Sequence, residues 1–163
     1  MKRTKALLAA LLCALTLTGC GNGTSGGSSA QNASATSAAA SGVDALWENA
    51  VYKEDASVGE GAHNIKIEVK IGSKSVTLDV KSDKDNLADI LTENNIVEGE
   101  TSAYGLYIKK VNGVSADYDA DGAYWGVCRD GTPTPTGVSS ITVADGEHYE
   151  LVYTFADAEQ PAA

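Results

Sequence analysis

Ile65-Lys66-Ile67-Glu68-Val69-Lys70-Ile71-Gly72-Ser73-Lys74-Ser75-Val76-Thr77-Leu78-Asp79-Val80 alternates apolar and polar side chains on either side of a Gly-Ser pair. Successive side chains of a strand point to opposite faces, so Ile65, Ile67, Val69 and Ile71 share one face, and so do Val76, Leu78 and Val80. With a turn near Gly72-Ser73 the two runs form a hairpin with one buried face. Downstream, Ser82 or Asp83 is placed to cap a short helix running to about Asn95, and Leu87, Ile90 and Leu91 fall on one side of it. That helix has a sheet to cover.

A break at Gly99 precedes a third strand, Tyr104 to Val111, which ends at the Asn112-Gly113 turn. Ala123 to Arg129 reads as a fourth, closed by Asp130-Gly131, and the loop Thr132-Pro133-Thr134-Pro135-Thr136-Gly137 leads to Val138 through Val143. Asp145-Gly146 turns the chain into a last strand, His148 to Phe155, with Tyr149, Leu151, Tyr153 and Phe155 on one face. Strands on both sides of a single helix predict an α+β domain with the helix packed across one face of a sheet. The β-grasp, or ubiquitin-like, arrangement is the simplest such topology. Upstream, Val43, Leu46, Trp47, Ala50 and Val51 recur at helical spacing, while Trp47 to Tyr52 is equally compatible with extended chain, so this stretch remains unassigned. The domain spans residues 43–157, and residues 158–163 read as a disordered tail.

The N-terminus predicts an address. Lys2, Arg3 and Lys5 precede the apolar run Ala6 to Leu17, whose twelve residues suit a secretory signal and are too few to span a bilayer. Leu17-Thr18-Gly19-Cys20 resembles the bacterial lipobox, in which the Cys is acylated and becomes the mature N-terminus. Residues 1–19 are therefore expected to be a lipoprotein signal peptide. The acyl chains on Cys20, of the palmitate kind, would hold the protein on the cell membrane through roughly 0.8 kcal/mol per buried CH₂. Residues 21–42 contain only Gly, Ser, Ala, Thr, Asn and Gln. This is a flexible linker with an r.m.s. span on the order of 25 Å, so residues 20–42 form a tether and the domain is expected outside the cytoplasm. Gly21, Gly23 and Gly26 spell G-x-G-x-x-G, but no strand precedes them and no helix pattern comes after, so the match to a dinucleotide fingerprint is accidental.

Composition narrows the function. The chain carries a formal net charge of -10, with 22 acidic and 12 basic residues, three of the latter in the first five positions. Such a surface repels phosphate backbones and excludes nucleic acid as a partner. G-x-S-x-G, H-E-x-x-H and P-loop patterns are all absent, and the two histidines, His63 and His148, read as exposed structural residues without clear partners. No enzymatic activity is expected. Of the three cysteines, Cys13 falls in the signal and Cys20 in the anchor. Cys128, in the alternating run Tyr124 to Arg129, is left as a small buried apolar residue on a strand. Asp117-Tyr118-Asp119-Ala120-Asp121-Gly122 reproduces the first half of a calcium loop, but position twelve is Cys128 instead of a bidentate Glu. It reads as a hairpin loop with solvated carboxylates, and no metal site is expected.

Several motifs of the second half occur in a familiar order: Tyr104-Gly105-Leu106-Tyr107-Ile108, Val111-Asn112-Gly113-Val114, Tyr124-Trp125, Asp130-Gly131, Gly137-Val138, and Asp145-Gly146-Glu147 with Glu150-Leu151. They resemble the transcobalamin-like C-terminal domain family, a small bacterial surface module similar to the β-domain of transcobalamin and intrinsic factor. Trp47, Ala50, Tyr52, Asp55 and Gly59-Glu60-Gly61 extend the resemblance over roughly Trp47 to Phe155. It implies a non-enzymatic domain without a resident cofactor that either binds cobalamin or a related corrinoid for uptake, alone or by passing it to a transporter component, or has kept the fold and lost the ligand. The alternative is an adhesion or envelope-assembly module without a small-molecule ligand. For a flat amphipathic ligand the best candidates are aromatic side chains near turns: Tyr104, Tyr107, Tyr118, Tyr124 and Trp125. Tyr124 and Trp125 are adjacent on a strand and must face opposite ways, so at least one of them belongs to the core.

Overall fold

The structure is a computed structural model, and it describes residue 42 and residues 45–156. The expected signal peptide, Cys20, the expected linker up to residue 41, residues 43–44 and the expected tail from residue 157 lie outside the described residues.

The chain order is β1 (Ala56–Gly59), β2 (His63–Ile71), β3 (Lys74–Ser82), α1 (Leu87–Glu93), β4 (Val97–Ser102), β5 (Gly105–Val111), β6 (Val114–Ser115), α2 (Tyr118–Asp121), β7 (Ala123–Arg129), β8 (Thr132–Pro133), a 3₁₀ turn (Val138–Ser140) and β9 (His148–Phe155). It is a small, mainly β domain with short helices. Among the described residues two sheets form where one was expected: a mixed six-stranded sheet in the order β1-β3-β2-β9-β7-β8 and a three-stranded sheet β4-β5-β6. The predicted hairpin is β2–β3, antiparallel from His63↔Ser82 to Ile71↔Lys74. At the centre β9 lies parallel to β2, with Ile67 opposite Tyr149 and Glu68 opposite Glu150, and antiparallel to β7.

The inner face obeys the alternation. Ile65, Ile67, Val69, Ile71, Val76, Leu78, Val80, Tyr149 and Leu151 are all buried, as are Leu87, Ile90 and Leu91 of α1. The helix starts later than its polar lead-in suggests. Ser82 Oγ accepts from Lys84 N and donates to Glu93 Oε1, and Asp83 Oδ1 accepts from Ala62 N, so both are engaged in the turn. Asn86 is the cap, its side chain accepting from Ala88 N at 3.0 Å. The helix ends at Asn94, and Asn95 in the left-handed region (φ 55°) turns the chain while Ile96 N donates to Leu91 O.

Gly99 does not end a strand; it lies at a bulge within β4, beside Glu98. A Cβ there would stand 2.1 Å from the Tyr107 carbonyl oxygen, so only glycine permits this approach of the two backbones. The unassigned N-terminal stretch forms a helical turn at residues 45–48 that buries Trp47. Asn112, the first residue of the Asn-Gly turn (φ 49°), docks Val51 and Tyr52, which come after that helical turn. Its Oδ1 accepts from Tyr52 N and its Nδ2 donates to Tyr52 O, both at 2.8 Å, while its carbonyl accepts from Val51 N. The stretch after the Thr-Pro loop is the 3₁₀ turn and then a single bridge between Thr142 and Asn86.

Candidate functional site

Register and alternation put a second set of side chains on the outer face of the six-stranded sheet. Lys66, Glu68 and Lys70 come from β2, His148, Glu150, Val152 and Thr154 from β9, and Tyr124, Gly126 and Cys128 from β7. The face is graded. Tyr124, Gly126, Cys128, Val152 and Thr154 line an open groove of ≈ 750 Å³, with the Pro133–Gly137 loop and Phe155 also contributing to its lining. A Cβ on Gly126 would meet only ordinary contacts at 3.5–3.8 Å, so the absent side chain deepens the groove without any backbone need for glycine.

The next positions along the same strands are charged. Cys128 is in register with Glu150, and Val152 with Lys70. Lys70 Nζ donates to Glu150 Oε2 at 2.9 Å and lies 3.3 Å from Glu68 Oε2. His148 Nε2 is 3.4 Å from Glu68 Oε2, and its Nδ1 faces Asp130 Oδ1 at 3.6 Å. Glu150 is only 7% exposed. The hydrogen bond from Lys70 comes first among the influences holding its carboxyl below the usual range, opposed by burial and helped by the Gly131 N–H; the same pair raises the Lys70 ammonium. Burial, and next the Glu150 charge, push the Cys128 thiol up, which leaves it a poor nucleophile. The thiol is half-buried on the outer face at the groove, not the core residue predicted.

The five candidate aromatics do not form one constellation. Tyr124 lines the groove. Trp125, its neighbour in sequence, points inward at 6% exposure, stacks edge-on against Tyr153 at 5.2 Å and donates from Nε1 to Val114 O. Tyr107 and Tyr118 border a small cleft of ≈ 50 Å³ around Lys109, which sits 5.9 Å from the Tyr107 ring centre. Tyr104 stands at the tip of the β4–β5 hairpin, 97% exposed.

Asp117–Gly122 is a one-turn helix and not the hairpin loop predicted, although Asp119 and Asp121 are exposed as that reading expected. Asp117 caps the one-turn helix α2, accepting from Asp119 N and Ala120 N, and Gly122 ends it at φ 60°. The capping bonds, Ala120 N–H first, hold the Asp117 carboxyl below its ordinary range. The oxygen-bearing residues that looked like calcium ligands are thus cap and helix residues.

Both histidines have partners that the sequence did not reveal. His63 Nε2 is 2.8 Å from Asp85 Oδ1 and its Nδ1 is 3.0 Å from Asp145 Oδ1. His148 belongs to the outer-face cluster, where Glu68, His148 and Glu150 bring one ligand atom each to within 4.8 Å of one another. Glu68 lies on β2 and His148 and Glu150 on β9, and the β2–β9 register brings the three together. One signal for them is present in the sequence: Glu150 interrupts an otherwise apolar run, Tyr149-Glu150-Leu151-Val152-Tyr153.

On the other side of the Thr-Pro loop a second cleft of ≈ 400 Å³ borders Arg129, Thr132–Thr136 and Ser140–Thr142. Behind its lining, Arg129 donates to the buried Tyr149 Oη at 2.5 Å, and Tyr149 Oη donates to Glu147 at 2.6 Å. Burial first, then the Glu147 carboxylate, pushes the phenol up to about 12.

Comparison with known proteins gives three findings. The model of a family described as a domain of unknown function (DUF4430) matches residues 84–154. A protein from Ruminococcus gnavus ATCC 29149, to which metal binding has been ascribed, is similar in structure with a TM-score of 0.54 and 27% identity. The similarity covers 58% of this chain and 98% of that one. Haptocorrin, solved in complex with Cbi, aligns with a TM-score of 0.43 and 21% identity over 57% of this chain and 25% of its own. No curated protein matches by sequence.

Proposed function

We propose that this chain is an extracytoplasmic lipoprotein, anchored to the cell membrane through Cys20, whose folded domain binds a small amphipathic ligand without transforming it. The observation that carries this reading is the outer-face groove. Its ≈ 750 Å³ falls within the range of small-molecule sites, its lining is aromatic and small with threonine hydroxyls from Thr134, Thr136 and Thr154, and the charged cluster occupies the next positions along the same strands. Cobalamin or a related corrinoid is the first ligand to test. The motifs from Tyr104 to Leu151 resemble the transcobalamin-like module, and Tyr124 offers a flat apolar edge to the groove. In this reading the module captures the corrinoid outside the cell and passes it to a transporter component. The central strand order β3-β2-β9-β7, with a parallel pair at its middle and α1 coming after the hairpin, supports a β-grasp core.

Calorimetric or absorbance titration with cobalamin tests the ligand. Binding that Gly126→Leu abolishes without loss of folding supports the groove, whereas no binding up to on the order of hundreds of micromolar removes the corrinoid. Mass spectrometry of the mature N-terminus tests the anchor: an acylated Cys20 is expected, and an intact Met1 overturns it.

A second reading is metal binding, the property ascribed to the Ruminococcus gnavus protein. It is favoured here by the convergence of Glu68, His148 and Glu150.

A further inference from the structure

We propose that Glu68, His148 and Glu150 form a site for a divalent transition-metal ion of the zinc class, in which the ion takes the position now held by the Lys70 ammonium. The inference rests on the metal-binding reading and specifies where, and against what competitor, the ion binds.

Two carboxylates placed directly opposite each other on neighbouring strands repel, and Glu68↔Glu150 is such a pair. The fold tolerates it because a cation already stands between them: Lys70 Nζ is 3.3 Å from one and 2.9 Å from the other. That cation is carried on a flexible four-carbon stem whose side chain is 34% exposed, so it has room to swing into solvent. An ion that replaces it finds an imidazole nitrogen and two carboxylate oxygens within 4.8 Å of one another. A modest contraction brings such a set to the roughly 2.0–2.2 Å that zinc requires of nitrogen and oxygen ligands.

The surroundings of His148 add an independent observation. A metal-binding histidine presents one nitrogen to the ion and its other N–H to an orienting carboxylate or carbonyl. His148 has Nε2 3.4 Å from Glu68 and Nδ1 3.6 Å from Asp130, a separation that a small rotation of the exposed Asp130 side chain closes to a hydrogen bond. Asp130 is positioned by the Asp-Gly turn at φ 49°, its N–H bonded to the His148 carbonyl, and the Gly131 N–H of the same turn supports Glu150. One nitrogen and two oxygens suit a borderline first-row ion better than calcium or magnesium, which favour oxygen alone. Three protein ligands leave a coordination position for water or for a donor atom of a groove ligand.

His63 supplies the internal control. It too stands between two carboxylates, but Asp85 and Asp145 hydrogen-bond opposite nitrogens of its ring at 2.8 and 3.0 Å, so their oxygens do not converge on one nitrogen as those of Glu68 and Glu150 do at His148.

The test is calorimetric titration of the full chain with zinc chloride, repeated with cobalt(II), whose visible absorption reports an imidazole–carboxylate environment. Lys70→Met removes the competing ammonium and is expected to raise affinity at least tenfold; a folding defect cannot produce such a gain. Asp130→Asn keeps a residue that tolerates the left-handed turn, loses the carboxylate, and should weaken binding about 10–100-fold. His148→Ala and Glu68→Gln should remove the cobalt spectrum, and His63→Gln should leave it unchanged. Zinc bound by the parent chain but indifferent to Lys70→Met, Asp130→Asn and His148→Ala overturns this site while the metal-binding reading stands. No binding by the parent chain or by Lys70→Met at millimolar zinc overturns both.

Discussion

The inner and outer faces of the six-stranded sheet are written by the same strands, one residue apart, and they do opposite things. Tyr149 and Leu151 are fully buried on the inner face among Ile67, Val69 and other core residues. Glu150 between them is nearly as buried, yet it is ionic, faces Glu68 across the parallel pair and is held by Lys70. The inner face is apolar and filled; the outer grades from a charged cluster to a groove with a missing side chain at Gly126. Strand alternation lets β9 serve as scaffold and as site at once, because the two sets of side chains never compete for the same space. Substitutions one residue apart must then differ in kind as well as in size.

The largest effect is expected on the inner face. Leu151→Ala removes a fully buried side chain and should cost about 2–5 kcal/mol by chemical denaturation while leaving metal and ligand affinities of the remaining folded fraction unchanged. Next comes Glu150→Gln, which breaks a charge-assisted bond to a partner that is one-third exposed, so about 1–2 kcal/mol is expected after allowance for screening. Its pH dependence has a definite sign. The folded carboxyl is held below its ordinary 4.5, chiefly by Lys70, so the advantage over the Gln variant is present above that value and fades as pH falls through the lowered one. An advantage that grows on acidification would show that Lys70 is not the partner that matters. On the other side of zero, Gly126→Val places a β-branched side chain where a strand has none and should stabilise by under about 1 kcal/mol while abolishing groove binding. A loss of stability there would mean that the floor of the groove is packed, and the contrast between the faces would fail.

The same contrast explains what was legible beforehand. Inner-face strands announce themselves locally: Ile65, Ile67, Val69 and Ile71 need only their own alternation, and Asn112-Gly113 and Asp130-Gly131 need only their turn chemistry. Tyr124 and Trp125 were separable into opposite faces by adjacency alone, and Trp125 proved to be the inward one. The division into two sheets and the bulge at Gly99 were not legible, because both depend on how closely β5 approaches β4. Nor was the charged cluster. Glu68 and Lys70 look like an ordinary solvated strand face until the β2–β9 register sets Glu150 and His148 beside them. A helix cap can also imitate a ligand loop, since Asp117 and Gly122 suit either role by the same chemistry of short carboxylate and left-handed glycine.

The smallest effect lies at the other histidine and is read best through pH. His63 joins the start of β2 to Asp85 before α1 and to Asp145 before β9, and both ring nitrogens can donate to carboxylates only in the imidazolium form. The Asp145 bond first, and the Asp85 bond next, therefore raise its pKa above the ordinary 6.5, while the Asp145 carboxyl is lowered chiefly by His63. A raised folded value means that the stabilisation is complete below about pH 6.5 and is lost as pH climbs through the folded pKa. On the acid side the same latch fails when Asp145, lowered from 3.8, takes up its proton. His63→Gln should thus melt below the parent chain between those limits and approach it at alkaline pH. Salt should narrow the gap, because the groups are open to solvent. A gap that widens with rising pH would mean that the imidazole acts as a neutral hydrogen-bonding group, and His63 would then lose the distinction drawn between it and His148.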